Sequence, residues 1–156
     1  MTKPLCIELF CGTFGWGAGF IAEGWDVVGF DIMDVQAELG VPRTEGCQLV
    51  LQDVNTLHGS QFVKADCIVA SPPCQEYSYM AMPFSRGKAV RKGLRGEGDF
   101  PQDWRGSRTV GELRTLFDAC FRIQREASEA AGREIPLIVE NVRGAQEWVG
   151  KAPCHF

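Results

Sequence analysis

Short apolar runs alternate along this chain with turn-forming residues, and the runs come in two lengths. Cys6 to Phe10, Asp26 to Phe30, Gln48 to Gln52, Cys67 to Ala70 and Leu137 to Val139 are too short for stable helices. They are bounded by Gly, Pro or acidic residues, so each predicts a buried strand. Ala18 to Glu23 predicts a short helix, with Gly24 placed as its C-terminal cap. Further on, Val110, Leu113, Leu116, Phe117, Cys120 and Ile123 keep helical spacing. Thr109 and Glu112 form a capping-box pattern ahead of them, and Gly132 marks the end. Strands alternating with helices predict an α/β fold on a mostly parallel sheet. Glu76 to Gly106 is rich in Gly, Pro and basic residues, with Met80, Met82, Phe84, Phe100 and Trp104 scattered through it, and is expected to be irregular.

Composition adds bounds rather than direction. With 156 residues, 45% apolar and 23% charged, the chain has one domain's worth of material and an ordinary globular balance. No internal repeat or low-complexity tract is present, and no run approaches the roughly 18 apolar residues of a membrane span. Met1-Thr2-Lys3-Pro4 leads straight into the first strand without signal-peptide anatomy. Seven cysteines, none spaced as C-x-x-C, argue against a disulfide framework or a zinc ribbon and suit reduced thiols in a cytosol. Only His58 and His155 are available for a Cys/His metal site or a Cys-His hydrolase, so both are poorly supplied and no metal is expected. A net charge of −4 is unlike a nucleic-acid binder taken whole. Its distribution matters more, because Arg86, Lys88, Arg91, Lys92 and Arg95 follow one another without an intervening acid. That run is either a solvated loop or a set of phosphate contacts.

Chemistry gathers at the expected strand ends. The first strand breaks into Cys11-Gly12-Thr13-Phe14-Gly15-Trp16-Gly17, and the second ends at Asp31. Strand, glycine turn, helix, strand and acid make the first half of a nucleotide-binding unit, in which free N–H groups face an anion and the acid faces ribose hydroxyls. Phe20 stands where a dinucleotide fingerprint has its third glycine, which disfavours a nicotinamide enzyme without excluding it. Asp53 closes the third strand and suits an exocyclic amine, or is simply a surface carboxylate. The fourth strand runs into Ser71-Pro72-Pro73-Cys74-Gln75, whose prolines stop the strand and deliver a thiol at its carboxyl end. Ser71-Pro72-Pro73 also invites comparison with the (D/N)PP(Y/F/W) motif of amino-methyltransferases, although serine and cysteine replace its defining residues. The fifth strand runs into Glu140-Asn141-Val142.

In order, Glu8-Leu9-Phe10-Cys11-Gly12-Thr13-Phe14-Gly15, Pro73-Cys74-Gln75-Glu76-Tyr77-Ser78 and Glu140-Asn141-Val142 resemble three motifs of the DNA cytosine-5 methyltransferase family. These are its (D/E)LFxGxGG cofactor motif, its PCQxxS nucleophile motif and its ENV motif. Asp103-Trp104-Arg105-Gly106 and Leu116-Phe117 with Arg122-Ile123 look like the family's intervening RG and LF…RI elements. Phe14 departs from the pattern, since the family usually has glycine there. The resemblance implies a Rossmann-like S-adenosylmethionine-dependent methyltransferase fold, present here as the N-terminal part of the catalytic domain without a target-recognition domain. It implies a Cys74 nucleophile that adds to C6 of a flipped cytosine, with Glu140 assisting at N3. The implied S-adenosylmethionine site comprises Phe10, Gly12, Thr13 and Gly15, with Asp31 on the ribose and Ile32 on the adenine ring. Asp53, Val54, Pro73 and Leu116 complete it. Gln75, Ser78 and Asn141 fall on the base or DNA side, and Arg86, Lys88, Arg91, Lys92 and Arg95 on phosphates. Double-stranded DNA is the implied partner, in the cytoplasm of a bacterial or phage-infected cell. Family members continue past ENV, so a second polypeptide supplying the later motifs, or a non-catalytic fragment, is the alternative, as is an RNA cytosine-5 methyltransferase.

Overall fold

In the computed structural model, which describes residues 2–75, 77–101 and 109–149, all five expected strands form and all run parallel. They are β1 (Leu5–Leu9), β2 (Asp26–Asp31), β3 (Cys47–Leu51), β4 (Cys67–Ala70) and β5 (Leu137–Val139), in spatial order β3-β2-β1-β4-β5. Order reverses at β1, where the chain leaves β3 and returns to pair β4 on the other side. In open α/β sheets, the carboxyl ends of the strands beside such a switch form the ligand crevice.

The described residues divide into two compact units. The first holds the sheet and comprises residues up to Pro72 together with Asp118–Glu140. Its strands alternate between two faces. On one, Ile7, Leu9, Phe30, Ile68 and Ala70 pack with Ala119, Cys120, Ile123 and Ala127 of the long helix α4 (Val110–Ala131). The other face buries Cys6, Val27, Cys67 and Val69 with Cys11 and Phe14, against Trp16, Phe20 and Ile21 of helix α1 (Gly15–Ala22). A five-residue helix α2 (Val35–Leu39), capped by Asp34 through the Ala37 N–H at 3.0 Å, precedes β3. On the edge strand β5, Ile138 remains 44% exposed.

The second unit takes the described residues of 73–117 and those from Asn141 on, including the first turns of α4. Tyr77 centres it, buried with its ring edge-on to Phe117 and Trp148 and its hydroxyl donating to the Leu113 carbonyl at 2.7 Å. The capping box at the start of α4 forms as the pattern predicts. The Thr109 N–H donates to the Glu112 carboxylate at 2.6 Å, and the Glu112 N–H to Thr109 Oγ1 at 3.2 Å.

One expectation is corrected. The segment after Cys74 is not irregular throughout, because Phe84–Leu94 forms helix α3 and carries most of the basic run. Its packed positions are Gly87 and Val90, and a Cβ on Gly87 would stand 3.3 Å from the Tyr79 ring. Glycine at a packed position lowers helix propensity and removes the apolar repeat that would signal the helix. Helix α5 (Ala145–Val149), which begins three residues past Val142, also lacked a sequence signal. Asp103 to Gly106 and the Cys154-His155-Phe156 end lie outside the described residues.

Candidate active site

Parallel pairing brings Phe10, Asp31, Asp53, Ser71 and Glu140 to one edge of the sheet, each immediately past a strand or within two residues of its end. The β1–α1 loop is the most constrained backbone there. Phe10, Gly12 and Phe14 all adopt positive φ, at 58°, 48° and 63°. For the two phenylalanines this conformation costs roughly 1–2 kcal/mol each. Gly12 donates its N–H to Asp31 Oδ2 at 3.0 Å, and the Met33 N–H reaches Asp31 Oδ1 at 3.3 Å. Asp31 is thereby fixed beside the loop while keeping lone pairs for further donors. A Cβ at Gly12 or at Gly15 would meet nothing within 4 Å, so both glycines border open space. Ile32, next to Asp31, is 71% exposed, an apolar side chain standing in solvent at a strand tip.

The positive φ of Phe14 accounts for the glycine that the resembling motif carries at this position. Here the ring is 2% exposed and sinks into a slot whose floor is Gly29 of β2. Gly29 thus leaves the room that the ring at this position takes up.

Glu8 lies under the same loop and is 2% exposed. Its Oε1 accepts the Trp16 N–H at 3.3 Å, whereas Oε2 lacks a partner with good hydrogen-bond geometry among the described residues. Burial pushes its carboxyl up to about 7, and the N–H groups of Trp16 and Gly17 offset this only in part. Because the folded-state value is raised, the stability that neutral Glu8 contributes is complete below the ordinary range near 4.5 and is lost as pH climbs through about 7. Chemical denaturation of the wild type between those limits should show a decline on the order of 3 kcal/mol that Glu8→Gln removes. Equal pH slopes in the two proteins would contradict the assignment.

Asp53 is exposed and caps the 3-10 turn Val54–Thr56 through the Asn55 N–H at 2.9 Å. Val54 is 1% exposed, so a ligand at this edge meets its main chain and not its side chain. Arg122 of α4 holds the turn from behind, donating to the carbonyls of Leu57 at 2.8 Å and Asn55 at 3.2 Å. Trp16 Nε1 donates to Ser71 Oγ at 3.1 Å, tying the start of α1 to the residue that follows β4. The Glu140 N–H donates to the Ala70 carbonyl at 2.9 Å. The ENV glutamate thus leaves β5 beside the last residue of β4, from which the chain proceeds into the PCQ segment.

In the second unit, Pro73, Cys74 and Gln75 are exposed, and Ser78 and Leu116 are half-buried. The Cys74 carbonyl accepts the N–H groups of Tyr77 and Ser78, both at 3.0 Å, which folds the segment into a turn. All six described cysteines are free thiols. Four are buried, and burial raises Cys11 and Cys120 to about 12 and Cys6 and Cys67 upward as well. Cys47 is half-buried and also raised, chiefly by burial, which leaves Cys74 as the exposed thiol among the described residues. Asn141 turns back on its own chain, its Oδ1 accepting the Val142 N–H at 2.9 Å.

Among the basic residues, Lys88 and Lys92 are exposed, while Arg91 and Arg95 both pair with Glu147. Arg91 also lies over the Tyr79 ring, 4.7 Å from its centre, and the Tyr79 hydroxyl donates to Glu147 at 2.9 Å. These groups line a cleft of about 460 Å³ together with Arg143 and Gln146. Glu147 is an acid that the sequence pattern did not single out, because it lies far along the chain from the run it neutralises.

No described group of three His, Cys, Asp or Glu side chains is placed to hold a metal ion, and no described helix is long and apolar enough to cross a membrane. Residues 5–93 match the family described as C-5 cytosine-specific DNA methylase. The chain belongs to that family. S-adenosylmethionine is accordingly its cofactor, which sets the nicotinamide alternative aside, and the open space at Gly12 and Gly15 beside a fixed Asp31 fits such a group. Among solved structures, the chain is similar to the Entamoeba histolytica methyltransferase EhMeth, at 16% identity and TM-score 0.48, over 94% of this chain and 40% of that one. It is also similar to a putative S-adenosyl-L-methionine-dependent methyltransferase from Methanococcus maripaludis, at 13% identity and TM-score 0.41, over 95% of this chain and 52% of that one. A third is an S-adenosylmethionine-dependent methyltransferase from Mesorhizobium loti, at 19% identity and TM-score 0.36, over 58% and 37%. The chain thus spans between about a third and about a half of the length of these structures. No curated protein sequence matches it.

Proposed function

We propose that this chain carries the methyl-transfer chemistry of a DNA cytosine-5 methyltransferase, with Cys74 as nucleophile and Glu140 as its acid partner. The observation that carries the reading is the pairing of β4 with β5. It lets the PCQ and ENV segments leave from adjacent strand ends, with Glu140 bonded to Ala70. On the same edge, Gly12, Thr13, Gly15 and Phe10 form the loop that binds the methionine end of the cofactor. Asp31 accepts ribose hydroxyls, Ile32 covers the adenine ring, and Asp53 with the Val54 main chain meets the adenine edge. Pro73 and Leu116 are assigned to the same cofactor by the family's motif pattern.

The residue types suit the reaction. C5 of cytosine is too weak a nucleophile to take a methyl group unaided. The Cys74 thiolate adds to C6, the C5–C6 double bond shifts, and electron density reaches C5. A thiolate is soft and strongly nucleophilic, which suits addition at C6. Glu140 protonates or hydrogen-bonds N3 and holds the exocyclic amine, absorbing charge as the thiolate adds. S-adenosylmethionine supplies an electrophilic methyl group, which C5 takes. Loss of the C5 proton then expels Cys74 and restores the ring. A cytosine inside a duplex is out of reach, so the base is flipped, with Gln75, Ser78 and Asn141 on its side of the site. Arg86, Lys88 and Lys92 of α3 meet phosphates, which gives affinity without sequence information, and Arg91 and Arg95 do so while sharing Glu147.

The test is transfer of labelled methyl from S-adenosylmethionine to duplex DNA and to structured RNA in parallel. Label in 5-methylcytosine of the duplex alone is the expected result. Label in RNA alone, or in adenine, would refute the assignment.

A further inference from the structure

The strained loop that faces the cofactor is held from behind by two side chains outside the three family motifs. Thr13 presents its carbonyl to Gln36 Nε2 at 3.4 Å and accepts the Thr44 hydroxyl at 3.1 Å. Gln36 is 3% exposed, and its Nε2 also lies 3.1 Å from the Pro42 carbonyl and 2.8 Å from Thr44 Oγ1. Its Oε1 faces the Thr44 N–H at 3.5 Å. One buried amide thus knots the β1–α1 loop to α2 and to the link before β3. Burying such a group stabilises nothing unless its bonds are made, and an apolar side chain would fill the space without that demand.

What the knot controls is one peptide. The carbonyl of the Thr13–Phe14 peptide is held by Gln36 and Thr44, and its N–H donates to the Cys11 carbonyl at 2.6 Å. Flipping this peptide would change ψ of Thr13 and φ of Phe14, which is the route by which Phe14 could leave its left-handed conformation at 63°. The backbone preference of phenylalanine drives that flip, and the Gln36–Thr44 bonds oppose it. We propose that Gln36 and Thr44 are positioning residues for S-adenosylmethionine, locking the Thr13–Phe14 peptide so that the loop is ready for the cofactor before it arrives. The proposal rests on the assignment of the β1–α1 loop to the cofactor. It implies that affinity is set partly by a glutamine that touches no part of the ligand.

The test uses the full chain in three variants. Gln36→Met keeps length and removes the amide, Thr44→Val keeps shape and removes the hydroxyl, and Thr44→Ser keeps the hydroxyl. Amide exchange at Phe14, measured without cofactor, reports the lock directly, and calorimetry with S-adenosylmethionine reports its consequence. Gln36→Met and Thr44→Val should each speed Phe14 exchange and weaken cofactor binding by about tenfold, a loss of the size expected for one net hydrogen bond. Exchange in β1 and β4 should hold, and Thr44→Ser should behave as wild type. Unchanged Phe14 exchange, or exchange accelerated equally across the sheet, would overturn the proposal. So would undiminished cofactor affinity in both variants. Wild-type chain that binds no S-adenosylmethionine would instead overturn the cofactor assignment itself, while Phe14 exchange still reported on the lock.

Discussion

Gly29→Ala should cost about 3 kcal/mol, near the upper end for an overpacked core, and lower the melting temperature by roughly 10 °C. An added Cβ would stand 2.3 Å from Phe14 Cε1 and 2.7 Å from Cys11 Cβ. Neither neighbour can retreat easily, because Cys11 is held by its N–H bond to the Phe30 carbonyl and Phe14 is pinned in the loop. Strain would pass into the β1–α1 loop, so cofactor affinity should fall together with stability. The decisive comparison is the double variant with Phe14→Gly. Alone, that change empties a buried slot at a cost of several kcal/mol while relieving a left-handed phenylalanine. Combined with Gly29→Ala, the clash with the Phe14 ring is gone and only the 2.7 Å approach to Cys11 Cβ remains, so the total loss should fall short of the sum by about 2 kcal/mol or more. Additive losses in thermal or denaturant unfolding would show that Phe14 and Gly29 do not share the slot.

Cys74→Ala should abolish methyl transfer to cytosine while leaving the fold intact. Cys74 is exposed on its turn, and the bonds that shape the turn go to its carbonyl and not to its sulfur. Its removal therefore takes away the proposed C6 nucleophile without opening a cavity, and unfolding midpoints should match those of the wild type within about 0.5 kcal/mol. Affinity for S-adenosylmethionine should also be retained, since the role proposed for the thiol is on the base. Residual transfer within tenfold of wild type would assign the chemistry elsewhere. The buried cysteines offer no substitute, because burial holds their thiols protonated.

The strands were legible because their apolar runs carry the pattern themselves. Each observed strand lies within a residue of the run that predicts it, and the Thr109–Glu112 box marks the start of α4. The strand-end positions of Asp31, Asp53 and Glu140 followed from the same runs. Elements whose packing rests on glycine or on a single turn were not legible. In α3, Gly87 occupies a packed position and the basic residues dominate the pattern, so the segment looked like a loop. The five-residue helices α2 and α5 are too short to show a period. Side-chain roles that depend on distant partners were also hidden. Glu147 as counter-ion to Arg91 and Arg95, and Gln36 as the knot behind Thr13, need the fold before they mean anything. Glu8 did carry a signal, an acid inside an otherwise apolar strand. Phe14 carried another, a bulky residue where the resembling motif has glycine, and its explanation lay in Gly29.

The proposed chemistry is tested most directly by covalent trapping. In a duplex whose target cytosine is replaced by 5-fluorocytosine, the final loss from C5 is blocked, so the nucleophile stays bonded to C6 after methyl transfer. Incubated with that duplex and S-adenosylmethionine, the chain should form a denaturation-resistant adduct. Peptide mapping should place the adduct on Cys74, and Cys74→Ala should lack it. Cofactor binding without any adduct, or an adduct that persists in Cys74→Ala, would contradict the assignment of Cys74 as the nucleophile of this chain.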